Sequence, residues 1–277
     1  MKFLASSVLL IATVGSTFAQ TPPIDGVFEK TNVISSKVTP YPHLREADVM
    51  WTKRVWREID LREKMNQPLN HPQARLSDVL MNAVIAGELT AYSPVANARN
   101  NDNGDEFKVP MTAEAVAQIG GGSDTIPVVD PNTGATTYQV YTKEFNRDDI
   151  VKYRLKEDWI FDKQRGEFQP RIIGIAPVYK LRNTSGEVID ETPMFWVYFP
   201  EARNVFVNAE VFNRENDAAQ LSFDDVFIKR IFNSYITKMS NAQDNRIEDY
   251  SQGIDALYEA QRLKEYLINY EHDLWEY

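Results

Sequence analysis

The sequence contains no cysteine, which excludes disulfide bonds, thiolate metal sites and cysteine nucleophiles. It has only three histidines, His43, His71 and His272, and none begins a His-x-x-x-His or His-x-His pattern. The glycine run at 120–122 lacks the lysine of a phosphate-binding loop, and no serine lies in a Gly-x-Ser-x-Gly elbow. We therefore expect neither enzymatic activity nor a bound metal or cofactor.

Long apolar runs are also missing. Lys2 precedes an apolar run from Phe3 to Val14, and small residues follow as far as Ala19. A membrane span needs about 20 apolar residues, so residues 1–19 are predicted to be a secretory signal peptide, cleaved between Ala19 and Gln20. An uncleaved N-terminal anchor is the alternative. Since no cysteine follows the cleavage point, the mature chain cannot carry a lipid there, and attachment to a membrane would require a partner.

Basic residues are fewer than acidic residues. The chain has 30 Lys and Arg against 40 Asp and Glu, and without Lys2 the net charge changes from −10 to about −11. Such a chain repels nucleic acid and anionic lipid surfaces at long range, so we expect neither as a partner, and no direct insertion into a membrane. A hydrophobic content of 43% is sufficient for a core without disulfides.

The order of periodic segments predicts an α+β fold with a central, mainly antiparallel sheet flanked by N-terminal and C-terminal helices. Residues 20–42 contain four prolines and are predicted to form an extended arm, either a linker or a strand lent to a neighbour. Residues 43–277 are predicted to form a single domain. Within it, we expect an antiparallel helix pair over 44–65 and 77–87, and a short helix over 112–119.

Five strands follow from alternation and from β-branched and aromatic content, at 125–129, 136–142, 151–161, 171–181 and 188–199. The segment 201–212 fits a helix or a strand. Ser222 is predicted to cap a helix whose apolar stripe runs through Phe223, Phe227, Ile231 and Tyr235. The last helix, over 254–276, carries apolar residues at alternating steps of four and three, which predicts packing against another helix, either of the same domain or of another chain.

The polar segment 101–106 combines glycine with possible oxygen ligands, as calcium loops do. Its glycine is not in the sixth place, and the acid expected twelve places along is missing. We interpret it as a solvated turn, with weak calcium binding as the alternative.

Aromatic residues are the remaining candidates for contacts. On a strand over 195–199, alternation places Trp196 and Tyr198 on the face opposite their three neighbours. Either both faces are buried, or these two residues bind a partner. The same choice applies to Trp275 and Tyr277 near the C-terminus.

Three segments carry a resemblance to a known family: 55–64 (VWREIDLREK), 250–257 (YSQGIDAL) and 270–277 (YEHDLWEY). They resemble the GldN or PorN gliding motility family of the Bacteroidetes type IX secretion system. The resemblance implies a periplasmic ring component at the inner face of the outer membrane. It also implies partners: a lipoprotein of the GldK or PorK type, a motor-linked subunit of the GldM or PorM type, and neighbouring copies.

The resemblance supplies no catalytic residue. In addition, Asp124-Thr125-Ile126 resembles the O-glycosylation signal of exported proteins in the same bacteria, which makes Thr125 a candidate for modification. The competing interpretation of the whole chain is a periplasmic enzyme or a soluble small-ligand-binding protein, whose aromatic sheet residues would form a pocket.

Overall fold

A computed structural model describes residues 27, 31–33, 35–97, 103–119, 122–129, 136–143, 146–182, 187–216 and 218–274, the segments 122–129 and 136–143 as backbone only. The chain divides into two units, Met1–Thr31 and Asn32–Tyr277, and the helices and strands of the described residues lie in the second. The predicted cleavage residues Ala19 and Gln20 lie outside the described residues.

The strands are β1 (Val49–Asp60), β2 (Asn70–His71), β3 (Ala74–Arg75), β4 (Ala91–Tyr92), β5 (Pro110–Met111), β6 (Gly122–Val129), β7 (Thr136–Lys143), β8 (Ile150–Asp162), β9 (Glu167–Arg182), β10 (Val188–Pro193), β11 (Trp196–Tyr198), β12 (Glu210–Val211), β13 (Leu221–Ser222) and β14 (Tyr235–Met239). The α-helices are α1 (Leu76–Ile85), α2 (Ala113–Gln118), α3 (Phe199–Phe206), α4 (Phe223–Ile228), α5 (Ile247–Tyr250) and α6 (Ile254–Asp273).

One large sheet organises the second unit. Its strands follow the order β14-β1-β8-β9-β11-β4-β5, and β10 pairs with β9 beside β11. Every pairing in this sheet is antiparallel. The α+β prediction with a mainly antiparallel sheet is therefore confirmed. The strands β6 and β7 form a separate ribbon in which Thr125 lies opposite Val140.

The helix predicted over 44–65 is wrong, because the segment contains the 12-residue strand β1. Residues four apart lie on the same face of a strand as well as of a helix, so the apolar spacing did not separate the two. Val55 and Ile59 point to one face of the sheet, and Trp56 and Glu58 point to the other. The predicted antiparallel helix pair is therefore absent from this region, and α1 packs against α2 and α3 instead.

The helices α1, α3, α4 and α6 cover the face to which Val55 and Ile59 point. The largest part of the core lies under α3 and α4, where Phe199, Phe206 and Phe227 contact one another at ring distances of 5.5 to 5.9 Å. Each fully buried ring contributes about 1.5–3 kcal/mol relative to an exposed one. The sequence of segment 201–212 was compatible with a helix or a strand. In the structure, the segment begins within helix α3.

The predicted cap of α4 is present. The Ser222 hydroxyl accepts a hydrogen bond from the Asp225 backbone amide, and the Asp225 carboxylate accepts one from the Ser222 amide. The predicted stripe beyond Phe227 is wrong, because α4 ends at Ile228 and Tyr235 lies on β14. Arg230 has a φ of 54°, and such a left-handed residue ends a helix.

The seam of α6 contacts the sheet. Ala260, Leu263 and Leu267 are buried in one cluster with Val55 of β1 and Ile236 of β14. Ile247 of the short helix α5 belongs to the same cluster, so the expected helix neighbour is present, but the sheet provides more of the contacts. A narrow apolar stripe fits a helix neighbour and a sheet face equally well, and spacing alone does not choose between them.

The described part of the predicted arm contacts its own chain. Arg203 lies over the Tyr41 ring at 4.7 Å from its centroid, and Arg171 lies over it at 5.4 Å. Arg171 also donates a hydrogen bond to the Pro42 carbonyl at 3.0 Å. Beneath Tyr41, Arg203 forms a buried ion pair with Asp224 that joins α3 to α4.

Candidate interaction surface

A cleft of about 790 Å³ lies over the face of the sheet opposite the helices. Trp56 and Glu58 of β1 and Arg154 of β8 contribute to its floor, and β10 contributes to its wall. These residues reach the cleft because strand alternation points them away from the helical layer. The cleft is therefore polar where the opposite face of the sheet is apolar.

Ion pairs fill the centre of this cleft. Glu58 is paired with Arg154 at 2.6 Å and accepts a hydrogen bond from the Tyr235 hydroxyl at 2.8 Å, while Lys152 is paired with Glu191 at 2.6 Å. Burial by itself raises the pKa of Glu58, but Arg154 and the Tyr235 hydrogen bond outweigh it, and the net pKa is lowered. Burial lowers the pKa of Lys152, but Glu191 and Glu58 outweigh it, and the net pKa is raised. Both residues stay charged at neutral pH.

A second polar cluster surrounds Trp56. The Trp56 indole donates a hydrogen bond to the Asp105 carboxylate at 2.5 Å, and Lys156 donates one to the Asp105 carbonyl at 2.6 Å. Lys238 lies 4.6 Å from the Trp56 ring centroid. Burial lowers the pKa of Lys156, although the nearby Asp105 opposes this shift.

The segment 101–106 was interpreted as a solvated turn, and among its described residues Asn103 and Glu106 are exposed, whereas Gly104 is an exception. Gly104 is buried with a φ of 81°, and a Cβ there would lie 2.2 Å from the Pro94 carbonyl oxygen. Only glycine fits, because both the backbone conformation and the close approach exclude a side chain. Within the described residues, no group of three or more His, Asp or Glu side chains is arranged to hold a metal ion.

The residues that were predicted to contact a partner differ in their exposure. Trp196 lines the cleft but is only 2% exposed and packs with Trp56 and Ala176, so it offers little surface to a partner. Tyr198 is 37% exposed, and its ring meets Phe107 edge-on at 5.7 Å. Trp275 and Tyr277 lie outside the described residues. The binding of a partner by these residues stays a prediction, as does the modification of Thr125.

An exposed apolar patch lies where α5 meets α6. Its members are Tyr250, Ile254, Leu257 and Tyr258, with exposed fractions between 56% and 68%, and we name it the α6 patch. The three α6 members lie at i, i+3 and i+4, so they share one side of the helix. This spacing is present in the sequence. The longer apolar stripe of α6, with its alternating steps of four and three, lies on the opposite side of the helix and is buried.

A groove of about 400 Å³ adjoins the α6 patch. We name it the β14 groove, since Tyr235, Ile236 and Thr237 of β14 line one side of it. The other side is lined by α5, the turn after it and the first turn of α6, including Leu257. Leu257 belongs to both the groove and the α6 patch.

No helix among the described residues combines the length and the apolar character that crossing a bilayer requires. A search of curated proteins gives no match. The family described as gliding motility associated protein GldN matches residues 44–276, which is most of the chain and includes β1 and α6. This chain therefore belongs to the GldN family, whose members are components of the gliding motility and type IX secretion machinery.

Proposed function

We propose that this chain is a non-enzymatic structural component of the type IX secretion machinery in the periplasm. It forms a ring complex with neighbouring copies and with an outer-membrane lipoprotein of the GldK or PorK type, and it contacts a motor-linked subunit of the GldM or PorM type. The observation that carries the proposal is the family match over residues 44–276, which spans both the sheet and the helices.

The surface chemistry supports a role in assembly. Four large apolar side chains are exposed together in the α6 patch, and contiguous exposed apolar residues are typical of protein–protein contacts. The opposite face offers Glu58 and Lys152, whose shifted pKa values keep them charged near neutrality. A general acid or base works best when its pKa lies near the operating pH, so these groups suit a structural role.

The proposed function is accompanied by a proposed division of the chain into three segments. We propose that residues 1–19 are removed on export, that residues 20–42 form the arm, and that residues 43–277 form the domain that contacts the lipoprotein. An intact mass that begins at Gln20 supports this organisation, and a retained N-terminal segment contradicts it. The same measurement tests Thr125, because O-glycosylation adds mass to the bare polypeptide.

Deletion of the gene in a gliding bacterium tests the function. We expect loss of both type IX substrate export and gliding, with recovery when the full chain is expressed again. Affinity purification of the tagged chain from native envelopes should bring down a lipoprotein in stoichiometric amount. Normal export and gliding in a clean deletion without a paralogue would refute the proposed role.

The 790 Å³ cleft favours a second candidate, a soluble small-ligand-binding protein, since a cleft of this size accommodates a metabolite. Native mass spectrometry of the mature chain separates the two candidates. A bound compound of defined mass on a lone monomer supports the second, whereas a stable complex with the lipoprotein supports the first.

A further inference from the structure

The β14 groove lies beside a free sheet edge. β14 is the terminal strand of the large sheet, and β1 pairs with only one of its edges. No strand among the described residues pairs with the other edge. Unpaired main-chain amides and carbonyls at such an edge can pair with an additional strand.

The side of β14 that faces α6 is apolar. Ile236 of β14 and Ile247 of α5 are buried beneath the groove, and Leu257 is exposed at its rim. The charged residue of β14, Lys238, is paired with Asp244 at 2.6 Å and lines the polar cleft instead of this groove. An added strand would therefore place every second side chain against apolar groups next to α6.

One acid marks the groove. Among the described residues that line it, Glu248 alone is charged, and its side chain is exposed. Glu248 forms no hydrogen bond or ion pair with another described residue. Glu248 also lines the polar cleft, and a basic side chain on the occupant would complement its charge.

We propose that an extended segment of another envelope protein adds as a strand to the free edge of β14, with an apolar side chain against Leu257 and a lysine or arginine opposite Glu248. The inference rests on the proposed function, since it names the kind of partner segment that an assembly protein would bind. Strand addition uses main-chain hydrogen bonds for affinity and alternate side-chain contacts for specificity. A bound helix would leave the edge of β14 unpaired, which is why the strand is the occupant that fits.

Site-specific photo-crosslinking in intact cells identifies the occupant. A photoreactive amino acid replaces Leu257 in the full chain, and, as a matched control, Ile268, which is also exposed on α6 but does not line the groove. We expect crosslinks from position 257 to a peptide of a different protein that alternates apolar residues and contains a lysine or arginine. Crosslinks to a helical or acidic segment, to a second copy of this chain, or to nothing overturn the inference.

Hydrogen exchange on the purified complex provides the second readout. Amides on the outer edge of β14 should exchange at least about tenfold more slowly in the complex than in the free chain, because pairing protects them. Unchanged exchange at β14 contradicts strand addition even if crosslinks form.

Substitutions test the energetic contribution. Leu257→Glu should weaken co-purification of the partner at least about tenfold, because it places a charge against an apolar side chain. Glu248→Gln should weaken it up to about fivefold and reduce its sensitivity to salt. Ile268→Glu should have no effect, and circular dichroism should show that all three variants are folded. If Leu257→Glu leaves the complex intact while gene deletion stops export, the inference fails and the proposed function stands; if deletion has no effect, both fail.

Discussion

The buried ion pair between α3 and α4 allows a quantitative test of the fold. The Arg203 guanidinium donates two hydrogen bonds to the Asp224 carboxylate, at 2.8 and 3.0 Å. The two side chains are only 5% and 10% exposed. Asp224→Ala leaves a guanidinium that cannot lose its proton buried without a counter-charge, which costs about 3–5 kcal/mol. At about 2–4 °C per kcal/mol for a domain of this size, Tm should fall by roughly 6–20 °C.

Urea unfolding followed by tryptophan fluorescence measures this loss. Glu259→Ala is the matched control, because the Arg262–Glu259 pair also joins an arginine to an acid, but the arginine side chain is 69% exposed. Such surface pairs contribute at most about 1 kcal/mol. The double substitution Arg203→Met with Asp224→Leu removes both charges and keeps an apolar filling, so its stability should lie close to that of the unchanged protein.

Two results would refute the reasoning. Equal losses for Asp224→Ala and Glu259→Ala would show that burial does not determine the effect. A double variant as unstable as Asp224→Ala would show that the isolated charge is not the cause.

Three further predictions use single sites. Leu267→Ala should cost about 2–5 kcal/mol of unfolding free energy and Ile268→Ala almost none, since the first side chain is 1% and its neighbour 50% exposed. Gly174→Ala should cost about 1–3 kcal/mol and change the near-ultraviolet circular dichroism, because the new Cβ would lie 2.4 Å from the Phe107 ring; an unchanged spectrum contradicts this. The folded-state pKa of Glu58 is lowered, so its contribution to stability is present above the ordinary glutamate pKa and is lost as the pH falls through the lowered one. Glu58→Gln should therefore be less stable than the unchanged protein at pH 7, and urea titrations should show the difference shrinking in acid.

The hairpin of β8 and β9 was predictable because its signals are local. Alternating apolar residues and the turn at 163–166, where Gly166 has a φ of 65°, lie within one short stretch of sequence. The caps of α2 and α4 are local as well. Thr112 accepts a hydrogen bond from the Ala115 amide three residues on, as the Ser222 cap does from Asp225. Such features require no knowledge of the remaining chain.

The strand β1 and the interaction surface depend on distant residues. Pairing with β8 and β14 decides that residues 49–60 are extended, and those partners lie about 100 and 180 residues away in sequence. The ion pair of Glu58 with Arg154 and its hydrogen bond from the Tyr235 hydroxyl bring together residues of three strands. The α6 patch became visible only once the structure showed which side of α6 contacts the sheet. The sequence was therefore sufficient to predict the fold class and the family, but it was not sufficient to predict the interaction surface.

The register of the three central strands has a mechanical consequence. β1 and β8 pair from Val49 to Asp60, and β8 and β9 pair from Ile150 to Asp162. A load applied parallel to these strands stretches all the main-chain hydrogen bonds of a ladder together, whereas a perpendicular load separates them one after another. The large sheet therefore resists a pull along the direction of β8 better than a pull across it.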